Sequence, residues 1–309
     1  MLHRVWALVL ALVMIPCFSF AEERVLVDAI TDPAAEEGFA FAEDADLLEI
    51  VFPQILDCDA ALFRCGGETM LLDCATAQQA DRVTAMLEQM GVTELDYVVN
   101  THPHFDHIEG LETIAEAVKV KAFFICHSET ETDHMVKALE VCREYEIPVV
   151  HYGDEDRFNL GGTVIDVWLK CDPNCNLNER SAQMRVQFGE RTALFTADMK
   201  LKTQQALMKH VDAALLDIDL MKYPHHGKAS LHNDFIAATT PLFAVITNNG
   251  GKSSREGRKT LGYKHIPFAN TVPGYVYWVT DGQTWLVKRL DMDNPVTVTS
   301  RPDTRKFVD

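Results

Sequence analysis

Positive charge is scarce in this chain: among 309 residues, 28 Lys and Arg stand against 46 Asp and Glu, a formal net charge of −18. A surface that acidic repels phosphate backbones, which disfavours extended nucleic-acid binding without excluding a local basic groove. Internal repeats and low-complexity tracts are absent as well, so no repeat array is expected. Long apolar runs are missing with one exception: Val5 to Ile15 is unbroken, yet short for a membrane span. Arg4 precedes it and Ser19-Phe20-Ala21 follows as a small-x-small cleavage site, so residues 1–21 read as an export signal. The chain is therefore expected to be secreted or in the cell envelope, with membrane contact only through an uncleaved signal. Cys17 suggests a lipoprotein, but Ile15-Pro16 before it fits a lipobox poorly. Removing residues 1–21 deletes one cation and no acid, leaving 27 − 46 = −19.

Cysteines number eight, and seven remain once Cys17 has left with the signal. Export makes disulfides chemically possible, and Cys171 and Cys175 share one loop in which they can pair. Cys65, Cys74, Cys126 and Cys142 read as small apolar core residues. An odd count leaves at least one free thiol in any pairing scheme.

What is present is ample material for a core: 47% of residues are hydrophobic and 24% charged. Residues 22–46 are acidic and alanine-rich and read as a linker or lead-in, with Val25 to Ile30 as a possible edge strand. Organised structure begins near Leu47. Leu47 to Phe52, Ala60 to Cys65 and Met70 to Cys74 have strand character. Thr76 and Gln79 have capping-box spacing, followed by Val83, Met86, Leu87 and Met90 at i, i+3, i+4, i+7 and by Gly91 as a stop. That amphipathic helix delivers the chain to a short buried strand, Leu95 to Val99. Further strands are expected at Ala122 to Cys126, around Phe158, and at Thr163 to Leu169, Met184 to Phe188 and Thr192 to Thr196; a helix is expected at Thr130 to Tyr145.

The chain is organised around Asn100-Thr101-His102-Pro103-His104-Phe105-Asp106-His107, where three imidazoles and a carboxylate fall within six residues. The cluster follows an apolar strand and precedes a helical pattern that opens at Glu109-Gly110-Leu111. Open α/β sheets place ligand sites at that position. Neutral imidazoles suit Zn, Fe or Mn, and a carboxylate helps to hold a second divalent ion. A surface loop rich in histidine by chance is the plainer reading, and four ligand-type residues at H-x-H-x-D-H spacing argue against it. His127, His134, His151, His210, His232 and His265 have no partner at such spacing.

The H-x-H-x-D-H run resembles the signature of the metallo-β-lactamase-fold superfamily. The resemblance covers about residues 47–290, leaving 291–309 as a C-terminal tail. It implies an α/β (α+β) fold, an αββα sandwich of two mixed sheets with outer helices. In that superfamily a T-G-D supplies the aspartate that bridges two metals, and Thr196-Ala197-Asp198 is similar to it, although Asp198 also suits a helix N-cap. Tyr223-Pro224-His225-His226-Gly227 then offers the last ligand, with His225 and His226 equally eligible.

Several further segments look like the ComEC-type (competence-protein) branch. Cys58-Asp59-Ala60-Ala61-Leu62 with Leu71-Leu72-Asp73-Cys74 resembles its opening G-D-A-x-L…L-I-D-x-G. Asn178-x-x-Ser181, Asp198 and His225-His226-Gly227 resemble its N-x-x-S…G-D…H-H-G series, and Thr280-Asp281-Gly282 resembles its closing hairpin. Asn178 stands where other branches place a metal-binding histidine. Cys58 replaces a turn glycine, Asn248-Asn249-Gly250-Gly251 stands near the place of the branch's N-x-Y-x-H-P, and these 309 residues include no membrane-spanning channel portion from which DNA uptake could be expected.

This resemblance implies two divalent ions, Zn²⁺ or, given an oxygen-rich shell at Asn178, Mn²⁺. His102 and His104 would hold one ion. Asp106, His107 and one of His225 or His226 would hold the other, with Asp198 between them. A water shared by the ions would be the nucleophile, with Asp106 or Asp198 taking its proton. Ser181, Lys222, Lys228 and Ser230 lie beside these loops and are candidates for contacting a phosphate. The expected activity is metal-dependent hydrolysis of a small phosphodiester or related ester by an exported enzyme. The rivals are a lactone or β-lactam hydrolase, a competence-type nuclease, and a non-catalytic binding protein on the same fold.

Overall fold

A computed structural model describes residues 24–290 and the backbone of residues 297–298. The expected export signal lies outside the described residues, as does all of the C-terminal tail but Thr297–Val298, which pairs with the end of the Thr284–Leu290 strand. No helix among the described residues is long and apolar enough to cross a membrane.

The strands after residue 47 are apolar on both faces, and that decides the architecture. Ile50, Phe52, Phe63, Met70 and Leu72 face one hydrophobic cluster, while Val51, Leu62 and Leu71, between them in sequence, face another. A strand buried on both sides needs a layer over each face. One sheet runs in the order Val25–Asp28, Thr284–Leu290, Tyr275–Thr280, Leu48–Phe52, Ala61–Cys65, Glu68–Leu72, Tyr97–Val99, Phe123–Ile125 and Val149–His151. Its pairings are antiparallel from Thr284–Leu290 as far as Glu68–Leu72 and parallel beyond. The second sheet, Arg157–Leu160, Thr163–Trp168, Gln183–Phe188, Arg191–Phe195, Leu220–Lys222, Phe243–Ile246 and Phe268–Asn270, likewise turns from antiparallel to parallel, at Arg191–Phe195.

The sheets pack face to face around Phe52, Phe63, Phe195 and Trp278, with Phe52–Trp278 and Phe63–Phe195 ring centroids 4.8 and 4.9 Å apart. Each such buried ring contributes about 1.5–3 kcal/mol of transfer free energy. Helices Ala80–Gln89, Leu111–Ala117 and Asp133–Glu144 cover the outer face of the first sheet. Leu201–His210, Asn233–Thr239 and Arg255–Tyr263 cover that of the second. This is the expected αββα layering. The lead-in is part of it: Val25–Asp28 adds a parallel edge strand, and Ala29 and Ile30 are fully buried.

Several local expectations need correction. The capping box does not form: Thr76 makes no side-chain cap bond, and Gln79 instead exchanges hydrogen bonds with the Leu56 backbone at 2.8 and 2.7 Å. The strand expected over 95–99 breaks at Asp96, whose carboxylate accepts from the Thr69 amide, so Glu94–Leu95 pairs with Lys119–Val120 instead. Lys200, not Asp198, is the N-cap of Leu201–His210. Cys171 and Cys175 are both free thiols. The turn before Asp59 does not need a glycine at Cys58, because its left-handed residue is Asp57 at φ 58°.

Candidate metal centre

Parallel strands in both sheets point their carboxyl ends at one rim, and the loops leaving them carry the polar groups. Tyr97–Val99 leads into the histidine loop, which is laced to the end of Glu68–Leu72. The Thr101 amide and hydroxyl donate to the two Asp73 carboxylate oxygens at 2.8 Å each. The Cys74 amide donates to the His107 carbonyl at 2.8 Å. Helical structure begins inside the motif, at Phe105–Ile108. This turn brings Asp106 and His107 in behind His102 and His104. From the second sheet, Arg191–Phe195 delivers Asp198 and Leu220–Lys222 delivers His225 and His226.

Asp198, 1% exposed, lies between two groups of ligand-type atoms. Its Oδ2 faces His102 Nε2 at 3.8 Å and His225 Nε2 at 3.5 Å, and His104 Nδ1 lies 3.1 Å from that His102 nitrogen. Its Oδ1 faces His107 Nε2 at 3.3 Å and His226 Nε2 at 3.5 Å. Asp106 closes the second group, with Oδ2 3.3 Å from His226 Nε2 and Oδ1 4.0 Å from His107 Nε2. Of the two adjacent histidines, His226 therefore sits with Asp106 and His107, and His225 sits on the side of His102 and His104. These spacings run from 3.1 to 4.0 Å, near to somewhat longer than the donor-to-donor edge, about 3.3 Å, of a tetrahedral shell with bonds of about 2.0–2.1 Å.

The far sides of the rings are held by residues not foreseen as part of the site. His107 Nδ1 donates to Asp73 at 2.7 Å, and His226 Nδ1 is 3.0 Å from Asp59 and 3.1 Å from the Thr247 hydroxyl. His102 Nδ1 lies 3.2 Å from the Thr101 hydroxyl, which itself donates to Asp73. Each bond fixes a tautomer that leaves Nε2 facing inward, as outer carboxylates do for metal-bound imidazoles. Asp59 belongs by distance to the second group, but its oxygens are already engaged by Lys222 Nζ, His226 and Thr247. It is a support. Both carboxylates fall in the segments that resemble the opening motif, Cys58-Asp59-Ala60-Ala61-Leu62 and Leu71-Leu72-Asp73-Cys74, but nothing in the sequence pairs them with these rings.

The chemistry of this donor set asks for a cation. His107 Nε2, His226 Nε2 and both Asp198 oxygens are buried without a hydrogen-bond partner, which is costly unless a charge is shared between them. Burial, then the neighbouring His107 charge, pushes His102 well below the usual imidazole range, so its lone pair is free. Burial also disfavours charge on His107, yet Asp198 and Asp73 outweigh it and hold its proton well above the usual range. A divalent ion would take over the role of that proton. The residues present fit such an ion.

The other candidates are held by contacts of their own. Asn178 is buried with Oδ1 unpartnered, and the Ser181 hydroxyl is taken up by the Asn178 carbonyl at 2.8 Å. That loop abuts the motif where the Ala182 amide donates to the Thr101 carbonyl at 3.0 Å. Lys228 is half-buried and pairs with Asp57 at 3.3 Å, while Ser230 is exposed and donates to Glu256. Lys222 is a buried ion-pair partner of Asp59, with no solvated face to offer a phosphate. Asn248 ties the His226 carbonyl and the Asp57 carboxylate together at 3.1 and 2.6 Å.

Comparison with known proteins agrees with this architecture. A relative named ComE operon protein 3, from Bacillus subtilis (strain 168), is 25% identical over 191 residues, which is 61% of this chain and 23% of that protein. This chain thus spans about a quarter of the length of that curated relative. Among solved structures, the metallo-beta-lactamase fold protein YhfI from Bacillus subtilis aligns over 72% of this chain and 95% of its own, with a TM-score of 0.50 at 14% identity. CmlA, a diiron beta-hydroxylase from Streptomyces venezuelae, aligns over 73% of this chain and 48% of its own, with a TM-score of 0.44 at 16% identity. The family model of the metallo-beta-lactamase superfamily matches residues 55–234, which hold every residue of both ligand groups, and the chain belongs to that superfamily.

Proposed function

We propose that this protein is an exported metal-dependent hydrolase that cleaves a small phosphodiester or a related ester. The observation that carries the reading is Asp198, whose two carboxylate oxygens each face a separate set of imidazoles. His102 and His104 would hold one divalent ion, and Asp106, His107 and His226 the other, with Zn²⁺ or Mn²⁺ suited to the donors. Such a pair supplies an acidified water and positive charge opposite the developing anion. The chain's own residues do the rest. Asp106 and Asp198 border the reacting space and can accept a proton. Burial opposes ionisation of Asp106, but His226 and His107 hold its carboxyl below the usual range, so it stays available as a base. Asp73, Asp59 and Thr101 keep the rings aimed, limiting reorganisation during reaction. Export rests on the sequence of residues 1–21.

The test is metal content of the purified protein alongside hydrolysis of a chromogenic phosphodiester, a lactone and a cephalosporin reporter. Two divalent ions per chain with preference for the phosphodiester is expected. Preference for the lactone or cephalosporin would move the substrate class, and a protein without metal or turnover would be a binding protein. In the variant His102→Ala/His104→Ala, hydrolysis should vanish while circular dichroism stays unchanged, because the lost groups serve a loop and not the core. Loss of secondary structure there would show the cluster to be structural.

A further inference from the structure

We infer that His225 is the third imidazole of the His102–His104 group, taking the place of the histidine that Asn178 does not provide. The inference rests on the metallohydrolase reading above and assigns each of the two adjacent histidines to a different ion. His225 Nε2 lies 3.5 Å from Asp198 Oδ2, the same oxygen that His102 Nε2 faces at 3.8 Å. His226 Nε2 lies 3.5 Å from the other oxygen, Oδ1. Neighbouring side chains on ordinary extended or helical backbone do not straddle one carboxylate in this way. Here both residues are left-handed, His225 at φ 52°, ψ 47° and His226 at φ 52°, ψ 27°. Two consecutive non-glycine residues in that region are held there at a cost, and such outliers gather where function demands a direction.

The surrounding bonds hold that conformation. The His225 amide donates to the Ala197 carbonyl at 3.0 Å, tying the loop to the residue before Asp198. The Lys228 amide donates back to the His225 carbonyl at 2.8 Å, and Asn248 holds the His226 carbonyl. Gly227, at φ +90°, has Ser254 Cβ and Ile246 Cγ2 2.7 and 2.9 Å from where a Cβ would stand. With His225 counted, the first group has His102, His104, His225 and Asp198, four donors of the kind that borderline divalent ions take.

The measurement is metal stoichiometry and affinity for zinc and for manganese, by dialysis and chelator competition, in wild type, His225→Ala and His226→Ala. The absorption spectrum of each cobalt(II)-substituted protein is recorded as well. His225→Ala should keep one tightly bound ion, lose the other by at least about tenfold in affinity, and change the cobalt spectrum. His226→Ala should weaken the other ion. The thermal midpoint of metal-free His225→Ala should match that of wild type, since the ring is partly exposed. Unchanged stoichiometry, affinity and spectrum in His225→Ala, even with lower turnover, would make His225 a substrate contact and overturn the inference. Failure of the wild type to bind any divalent ion would instead sink the metallohydrolase reading itself.

Discussion

Asp73 accepts directly from His107 Nδ1 and, through the Thr101 hydroxyl, reaches His102 Nδ1, so one buried carboxylate steers an imidazole in each ligand group. Asp73→Ala should therefore weaken both ions, by about 10–100-fold in affinity. Thr101→Val should weaken only the ion of the His102 group, and less. Chelator competition resolves the two cases, and an Asp73→Ala variant that keeps the affinity of the His102-group ion would show that Asp73 does not act through Thr101. A second residue, His127, is 7% exposed, and burial followed by the Arg180 charge depresses it to about 4. Its folded form stays neutral while the unfolded imidazole protonates near 6.5. Acidification from about 6.5 to 4 thus favours the unfolded chain, by on the order of 3 kcal/mol at most. His127→Gln should flatten the acid side of the stability–pH curve over that window. Denaturant melts of metal-free protein at stepped pH values test it; an unchanged slope would mean that His127 titrates normally.

The elements that aim the site depend on close backbone approach. A Cβ on Gly110 would stand 1.9 Å from the Cys74 carbonyl oxygen, where the start of Leu111–Ala117 presses on the strand end that carries Asp73. Gly110→Ala must push that helix away, and overpacking of this kind costs about 1–3 kcal/mol or more. Its thermal midpoint should fall and its metal affinity with it, whereas Gly67→Ala, at a turn position with open space, should disturb stability alone. Equal metal affinity in both variants would detach the helix start from the site. The same elements show what the sequence discloses. Helix Ala80–Gln89 and the strand alternation were legible because apolar periodicity reports burial directly. The capping at Thr76 was misread because Gln79 found the Leu56 backbone, a partner 23 residues away. The histidine loop, Asp198 and the histidine pair were legible as local clusters. The supports were not: Asp59, Thr247 and Lys222 meet only through the pairing of distant strands, with Asp59 and Thr247 188 residues apart. The split between His225 and His226 lies in two φ angles that no residue type announces.

Across the whole molecule, negative charge dominates, with 46 acids against 28 bases, so positive potential near the site must come from few groups. Lys228 pairs with Asp57, and Lys222 with Asp59. Lys200, half-buried at the start of Leu201–His210, acts on both His104 and His225 and has no carboxylate within ion-pair reach among the described residues. Exposed Phe105 and Leu201 lie next in sequence to His104 and Lys200. On the hydrolase reading proposed above, such a rim would favour a compact anionic ester with an apolar substituent over a long polyanion, which would meet the acidic surface on all sides. A small chromogenic phosphodiester should therefore have a higher kcat/KM than single- or double-stranded DNA. DNA binding should show a shallow salt slope, since few cations would contact phosphates. Lys200→Glu should raise KM for the anionic ester several-fold while metal stoichiometry stays the same. Kinetics on the three substrates at two salt concentrations decide the matter. Tight, steeply salt-dependent DNA binding with fast cleavage would reveal a local basic groove strong enough to defeat the overall charge, and would favour a competence-type nuclease.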